Sequence, residues 1–533
     1  MSREPLNIVV LGGSFAGLSA AHHFLDHVIQ QLRTFESAPR YRVVLVSPST
    51  HLYWNICAPR ALVSAGLIPV ESAFVPIEPG FSRHPFNEFT YMQGAATAID
   101  TSARTVAVVL ASEATTQRYS AGSSDISRSA GIQTRVRTQA TDYRSSTASR
   151  DSTLQTLPYH ALILATGSSA YSPLYSLHGA YEKTIAELRS FHTRLETARS
   201  VLIVGGGPSS VETAGQLATY FNRRSRWPFN RKPAQGKPPS ESKRSGVRHS
   251  LLCLTRKSRA SDTTALLTVE ITPSTPAPRT HKTITILSGS ERLLPKHPPS
   301  IGHKASKKLK NLGVHVVHSI RQVGSSENPD GSTNCHLNND MTITADVLIA
   351  ATGVYPNTSY LPAAMLDEAG YVVADPEDLR VYGPGVGERM YAVGDCASYS
   401  KNCVLDVYDA VPVLMHNLRN DLLAYEYGLQ LQLQTPAPLP LPTPEQPLSP
   451  APPRDEGVSL SRVELGRRIA ELRDMRFVQN QTDTQLMPIT RWGGVGVVFD
   501  IAIPSLFVHW WKGRDYRVGR AQGVVKLGKN PYQ

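Results

Sequence analysis

No run of about 18 or more apolar residues occurs among the 533 residues of this chain, which argues against a membrane-spanning helix. Cysteine is scarce. Five residues (57, 253, 335, 396 and 403) are too scattered for a disulfide framework and match no zinc-ligand spacing. Met1-Ser-Arg-Glu-Pro5 leads almost directly into a strand pattern, leaving no room for a secretory or mitochondrial leader. Ser2 is not an N-myristoylation acceptor. Acidic residues fall short of basic ones, for a net charge of +12, but the excess is local. Between Asn222 and Ser250 nine Lys and Arg face Glu241 alone, so +8 of the +12 lies in one Pro- and Ser-rich segment without apolar periodicity. That segment reads as a solvated loop, which argues against nucleic acid as a partner. These absences describe a cytoplasmic globular chain long enough for two to four domains.

Three stretches interrupt that plan. Residues 117–155 are rich in Ser, Thr and Arg; 222–280 carry the basic insertion and a Thr/Ser/Pro extension; 435–453 are proline-rich and read as an extended connector. Surface insertions of this kind are tolerated because loop-closure entropy grows slowly with length.

What is present is one pattern used twice. Asn7-Ile-Val-Val-Leu11 runs into Gly12, Gly13, Ser14, Phe15, Ala16 and Gly17, and Ser200-Val-Leu-Ile-Val204 runs into Gly205, Gly206, Gly207, Pro208, Ser209 and Ser210. Each apolar run reads as a buried parallel strand, and each glycine turn opens a helix. The free N–H groups and the dipole of such a helix hold a pyrophosphate, and a side chain at the close-approach position would push it away. Both copies depart from the ideal: Ser14 takes the second glycine position of the first, Ser210 the third of the second. Each copy has an echo downstream. Leu162-Ile-Leu-Ala-Thr-Gly-Ser168 carries Thr166 and Gly167, Asp346-Val-Leu-Ile-Ala-Ala-Thr-Gly-Val354 carries Gly353, and Met390-Tyr-Ala-Val-Gly-Asp-Cys396 carries Gly394 and Asp395.

This order resembles that of the flavoproteins with two dinucleotide-binding domains, the pyridine nucleotide-disulfide oxidoreductase superfamily. Within it the chain is similar to the apoptosis-inducing-factor-like branch, which includes ferroptosis suppressor protein and the type II NADH dehydrogenases. Asn55-Ile-Cys-Ala-Pro-Arg-Ala61, Pro158-Tyr-His-Ala-Leu-Ile-Leu-Ala-Thr-Gly167, Met487-Pro-Ile-Thr-Arg-Trp-Gly-Gly-Val-Gly496 and Lys512-Gly-Arg-Asp515 carry that similarity. The resemblance implies an α/β fold: two Rossmann-like domains, for FAD and for NADH or NADPH, with a C-terminal α+β domain. It implies an FAD domain at 6–170 and 360–428, an NAD(P)H domain at 180–355, a linker at 429–454 and a C-terminal domain at 455–533. Arg60 is expected to contact FAD, and Asp395 its ribityl and phosphate region. A helix starting near Asp409 is expected to point its N-terminus at the flavin. Glu212 matches a family glutamate, and reads equally as a surface or helix N-terminal charge. Ala96 completes the expected cofactor set.

Two specificities remain. The second strand of the nicotinamide unit, Thr283-Ile-Thr-Ile-Leu287, ends in Ser288, which does not repel a 2′-phosphate; Arg292 beyond it could attract one and Glu291 could bind a bare ribose, and the pattern leans toward NADPH. Ser47 takes the equivalent place in the first unit. Only Cys57 lies where disulfide reductases of this family carry a cysteine pair, so direct electron transfer from flavin to a quinone-like aromatic acceptor is expected. A biosynthetic oxidase or monooxygenase, and a signalling protein, are the alternatives. The aromatic run 495–511 reads as a buried strand and helix on the flavin domain, or as the border of an acceptor tunnel or peripheral membrane contact.

Overall fold

The computed structural model describes residues 4–111, 154–222, 280–434 and 460–532. The basic segment, the Ser/Thr/Arg-rich stretch before Leu154 and the proline-rich stretch after Gln434 lie outside the described residues, as does Cys253.

Strand β1 (Leu6–Leu11) lies between β2 (Tyr41–Ser47) and β8 (Ala161–Leu164), all parallel. With both faces of this sheet covered, Ile8, Val9 and Val10 lose all contact with solvent, which is why the strand is a continuous apolar run. β18 (Met390–Ala392) extends the sheet beyond β8. On the other side β5 (Phe89–Asp100) leads into an antiparallel meander with β6 (Thr105–Leu110) and β7 (Leu154–Pro158), giving seven strands in the order β18-β8-β1-β2-β5-β6-β7.

The second sheet repeats the centre of the first. β10 (Ser200–Val204) lies between β11 (Thr283–Leu287) and β16 (Val347–Ala350), with β12 (Val314–Val317) outside β11, all parallel. A three-stranded antiparallel sheet, β13 (Gln322–Glu327), β14 (Thr333–Leu337) and β15 (Thr342–Ala345), accompanies it. The chain passes between the two units through β9 (Ser168–Ala170) and β17 (Val354–Pro356), which pair antiparallel.

Among the described residues the α-helices are, in chain order, α1 (Phe15–His23), α2 (Ala58–Ala61), α3 (Tyr181–Thr197), α4 (Pro208–Leu217), α5 (Pro299–Asn311), α6 (Val404–Leu433), α7 (Arg462–Glu471), α8 (Ser505–Val508) and α9 (Ala521–Leu527). α1 and α4 follow the two glycine turns, and α4 opens with Pro208, whose missing N–H has no partner to lose at a helix start. α6 differs from expectation at both ends. It begins at Val404, ahead of Asp409, and runs to Leu433, into the stretch read as linker. Tertiary contacts anchor it near this end: Glu426, 2% exposed, accepts the backbone N–H groups of Arg33 (2.8 Å) and Thr34 (3.0 Å).

The C-terminal sheet, β19 (Gln485–Thr490), β20 (Gly493–Val498) and β21 (Ile501–Ala502), corrects a second expectation. β20 is buried, as the sequence indicates, but the sheet packs on α4 and α5 of the second unit rather than on the first; α9 is the part that reaches α1. A single glycine permits the seating on α4. A Cβ on Gly215 would stand 2.1 Å from the Ile489 carbonyl oxygen, so β19 lies directly on the helix backbone. Among the described residues no helix is long and apolar enough to cross a membrane.

Candidate functional site

The two glycine turns share one geometry. Gly12 and Gly205 hold φ of +120° and +127°, a region open to glycine and strained for other residues. A Cβ on Gly12 would meet the Ala165 oxygen at 2.1 Å, and one on Gly205 the Ala351 oxygen at 2.2 Å. Each turn is thus pressed onto the end of the neighbouring strand that carries its Ala-Thr-Gly signature. The two departures from the ideal differ in consequence. Gly17 lies so close to the first turn that a Cβ would fall 1.7 Å from the Gly12 oxygen. Ser210, its counterpart, is fully buried with its hydroxyl lacking a hydrogen-bond partner among the described residues. Gly207 is the open position: a Cβ there meets nothing within 4 Å, leaving a cradle over the first turn of α4. Ser14, its counterpart, begins α1 in extended conformation without capping it by its side chain.

Around the first turn the structure gathers Phe15, Ala16, Thr166, Gly167, Gly394 and Asp395. Gly394, at φ +80°, leaves only 2.9 Å between a would-be Cβ and that of Ala16. Asp395 accepts the Ser168 hydroxyl at 3.2 Å through Oδ2, and burial raises its carboxyl above the usual range. Asn357, arriving from the second unit, braces the Ala-Thr-Gly loop. Its carbonyl accepts the Thr166 hydroxyl (2.7 Å), its amide donates to the Thr166 oxygen (3.0 Å), and its N–H donates to Gly167 (2.9 Å). Gly353, at φ +110°, is open to space. Ala96 lies apart from this group, half-buried on β5 beyond the point where β5 leaves β2, packed against the core.

Arg60 and Glu212 belong to a different assembly. Arg60, on α2, has its guanidinium engaged by protein: Nε donates to Gln216 Oε1 (2.9 Å), Nη2 to the Gly513 oxygen (2.7 Å) and Nη1 to the Arg514 oxygen (3.2 Å). Its plane also lies 4.5 Å from the Tyr516 ring centroid. Gln216 in turn donates to the Pro488 oxygen at 3.1 Å. Glu212 is not the surface charge of the simpler reading. It is 3% exposed and pairs with Lys512 Nζ at 2.8 Å through Oε1. Burial raises its carboxyl and Lys512 opposes the rise. Its second oxygen, Oε2, is buried and finds no donor among the described residues. Glu212, Gly215 and Gln216 lie on one face of α4, since residues three and four apart are neighbours on a helix, and that face receives the C-terminal sheet.

Lys512 also donates to the Leu486 oxygen at 3.0 Å, and Tyr516 and Arg517 follow it in left-handed conformation (φ +52° and +54°). Strain of this kind persists only where the surroundings hold it. The Tyr516 oxygen accepts Trp54 Nε1–H at 2.9 Å, and Trp54 lies 5.6 Å, ring to ring, from Phe15 of the first turn. One chain of contacts therefore joins the first glycine turn to Glu212. Lys512, Gln216 and Tyr516 were missed as site residues on sequence grounds; the only signal was the Lys-Gly-Arg-Asp segment.

The cysteines are inert in form. Cys57, Cys335, Cys396 and Cys403 are all free. Burial pushes the Cys57 thiol up to about 12, and raises those of Cys396 and Cys403. Cys396 donates to the Leu164 oxygen at 3.4 Å, at the end of β8. Where a helix N-terminus was expected to face the flavin, α6 carries Asp406 in its first turn, bonded to Gln479 Nε2 at 2.9 Å.

Comparison with known proteins agrees with this architecture. Residues 6–417 match the family described as pyridine nucleotide-disulphide oxidoreductase. Oxidoreductase phnG of Penicillium herquei is 27% identical over 525 residues, covering 97% of this chain and 95% of its own. Oxidoreductase ptaL of Pestalotiopsis fici is 27% identical over 390 residues, covering 73% and 76%. Among solved structures, a reduced CoADR-RHD of Bacillus anthracis aligns with a TM-score of 0.48 at 14% identity, over 79% of this chain and 57% of that one. FAD and NAD(P)H are the cofactors of the matched family, and two strand–glycine–helix turns, at Gly12 and Gly205, fit two dinucleotides. The chain is an oxidoreductase and belongs to the pyridine nucleotide-disulphide oxidoreductase family.

Proposed function

We propose that the first glycine turn, with Thr166, Gly167, Gly394 and Asp395, holds FAD, and that the second, with Gly207, Ser210 and Gly353, holds NADH or NADPH. On this reading the FAD domain comprises 6–170 and 360–428, and the nicotinamide domain 180–355. Bound FAD takes a hydride from the nicotinamide and releases the electrons to an acceptor. The protein's part is to bind, orient and exclude water. Glu212 and Lys512 form a buried charge pair between the nicotinamide helix and the helical turn His509–Gly513 that follows the C-terminal sheet, so the two are held in fixed register.

The acceptor is a quinone-like aromatic small molecule, and the chain is of the apoptosis-inducing-factor-like type. One observation carries this reading: Cys57, the cysteine nearest the position of a redox-active pair, is fully buried with its thiol held protonated. The thiolate is the reactive form, so electrons leave without a protein sulfur. Trp510 and Trp511, 62% and 41% exposed, immediately precede Lys512 and offer an aromatic face for the acceptor or for peripheral membrane contact. The test is anaerobic stopped-flow reduction of the purified holoprotein by NADH and NADPH, followed by mixing with a panel of quinones. Rapid reoxidation by a quinone is the expected result; reoxidation only by disulfides or persulfides would reject the reading.

A further inference from the structure

Ser288 closes β11 where a carboxylate would bind the ribose hydroxyls of NADH. Its hydroxyl turns back into its own loop, donating to the Ser290 oxygen at 3.0 Å. It also crowds the glycine turn, lying 2.4 Å from a would-be Cβ on Gly206. Ser47 does the same in the first unit, donating to the Ser49 oxygen at 3.0 Å. Neither serine presents a negative charge to a ribose.

Beyond the serine the second unit has a feature of its own. Gly289 lies under the side chain of Arg321: a Cβ there would be 3.0 Å from Arg321 Cγ and 3.3 Å from Nε. Arg321 comes from the loop after β12, and that loop is stitched to the one after β11. Ser319 N–H donates to the Ser290 oxygen and Ile320 N–H to the Ser288 oxygen, both at 3.1 Å. Asn338 holds Arg321 from both sides, accepting its N–H at 3.0 Å and donating to its carbonyl at 2.9 Å. Ser319 sits at φ +59° to make the turn. The backbone of Arg321 is therefore fixed beside the ribose position, while its guanidinium has no ion pair or hydrogen bond among the described residues. Arg292, the arginine nearer in sequence, has Nη2 engaged by the Pro295 (2.9 Å) and His297 (3.1 Å) oxygens.

We propose that Arg321, held over Gly289 by the loop after β12, binds the 2′-phosphate of NADPH and makes the protein prefer NADPH over NADH. This rests on the assignment of the second glycine turn to the nicotinamide nucleotide. A guanidinium stays charged at any physiological pH and offers a planar fork of donors that matches a phosphate. With Ser288 at the strand end, Glu291 is the carboxylate left in this loop, three residues further on and exposed.

The experiment is calorimetric titration of the full-length holoprotein with 2′,5′-ADP and with 5′-ADP, which needs no turnover. The parent should bind 2′,5′-ADP more tightly. Arg321→Gln should weaken 2′,5′-ADP by about tenfold or more, the size of a lost charge-assisted contact. It should leave 5′-ADP within about twofold, which also certifies the fold of the variant. Arg321→Lys should retain part of the preference, and Arg292→Gln nearly all of it. Equal affinity of the parent for the two ligands, or loss of the preference in Arg292→Gln but not Arg321→Gln, overturns the role of Arg321 alone. Failure of the parent to bind either ligand overturns the assignment of the second turn, and this role with it.

Discussion

Lys512 donates to Glu212 over 2.8 Å across 300 residues of sequence, and this contact ties the C-terminal segment to the middle of α4. Both side chains are withdrawn from water, with 12% and 3% of their surface exposed. Removing the lysine strands a carboxylate in the interior. Lys512→Met should destabilise the protein by about 3–5 kcal/mol at neutral pH. The pH dependence has a defined sign. Burial raises the Glu212 carboxyl above 4.5, so the folded state holds the proton more tightly than the unfolded chain. In the variant, stability is lost as pH rises from about 4.5 through the raised folded value. Denaturant melts of parent and variant across that range check this; a variant whose deficit does not grow with pH would show that Glu212 finds another partner.

Gly215→Val addresses the seating of the C-terminal sheet. A Cβ at this position meets a backbone oxygen at 2.1 Å, and backbone cannot move aside as a flexible side chain can. Overpacking of this kind costs about 1–3 kcal/mol and more when the obstacle is rigid. The expected result is a lower melting temperature together with earlier proteolytic release of residues beyond 460. A variant as stable and as protease-resistant as the parent would mean the sheet is not held on α4.

Gly207→Leu should separate ligand binding from folding. Its backbone (φ −85°) suits any residue and a Cβ meets nothing within 4 Å, so the protein itself is undisturbed. A leucine in the cradle should raise KM for the nicotinamide strongly while bound FAD stays at parental levels. Loss of FAD with unchanged nicotinamide kinetics would exchange the assignments of the two turns.

For the flavin site, Asp395→Ala should purify with most of its FAD missing, measured as the ratio of flavin to protein absorbance. The variant also frees the Ser168 hydroxyl, which donates to Asp395 in the parent. Asp395→Asn keeps an acceptor for that hydroxyl and should retain more flavin. Full flavin content in the alanine variant contradicts the role given to Asp395.

Cys57→Ser and Cys396→Ser should leave NAD(P)H-to-quinone turnover within about a few fold of the parent, since both thiols are buried and held protonated. A thousandfold loss with flavin still bound, about 4 kcal/mol of barrier, would place a thiol in the reaction.

Much of the fold is written locally. The strand–glycine–helix units at Leu6–His23 and Ser200–Leu217 were legible because a buried parallel strand needs an apolar run and the turns at Gly12 and Gly205 need positive φ, both properties of neighbouring residues. Ser288 at the end of β11 was legible for the same reason. The end of α6 was not: Glu426 near it accepts the N–H groups of Arg33 and Thr34, contacts that no local pattern announces.

The sequence by itself determined the two glycine-turn units, their order and the scatter of its five cysteines. Only the tertiary structure decided which partners the charges beside those units have. Glu212 reads equally as a family glutamate and as a surface charge until Lys512 is folded against it, and Arg60 as an FAD contact until Gln216, Gly513 and Arg514 take its nitrogens. A glycine turn is specified by the torsions of adjacent residues. A buried charge is specified by its partner, and here each partner comes from a distant part of the chain.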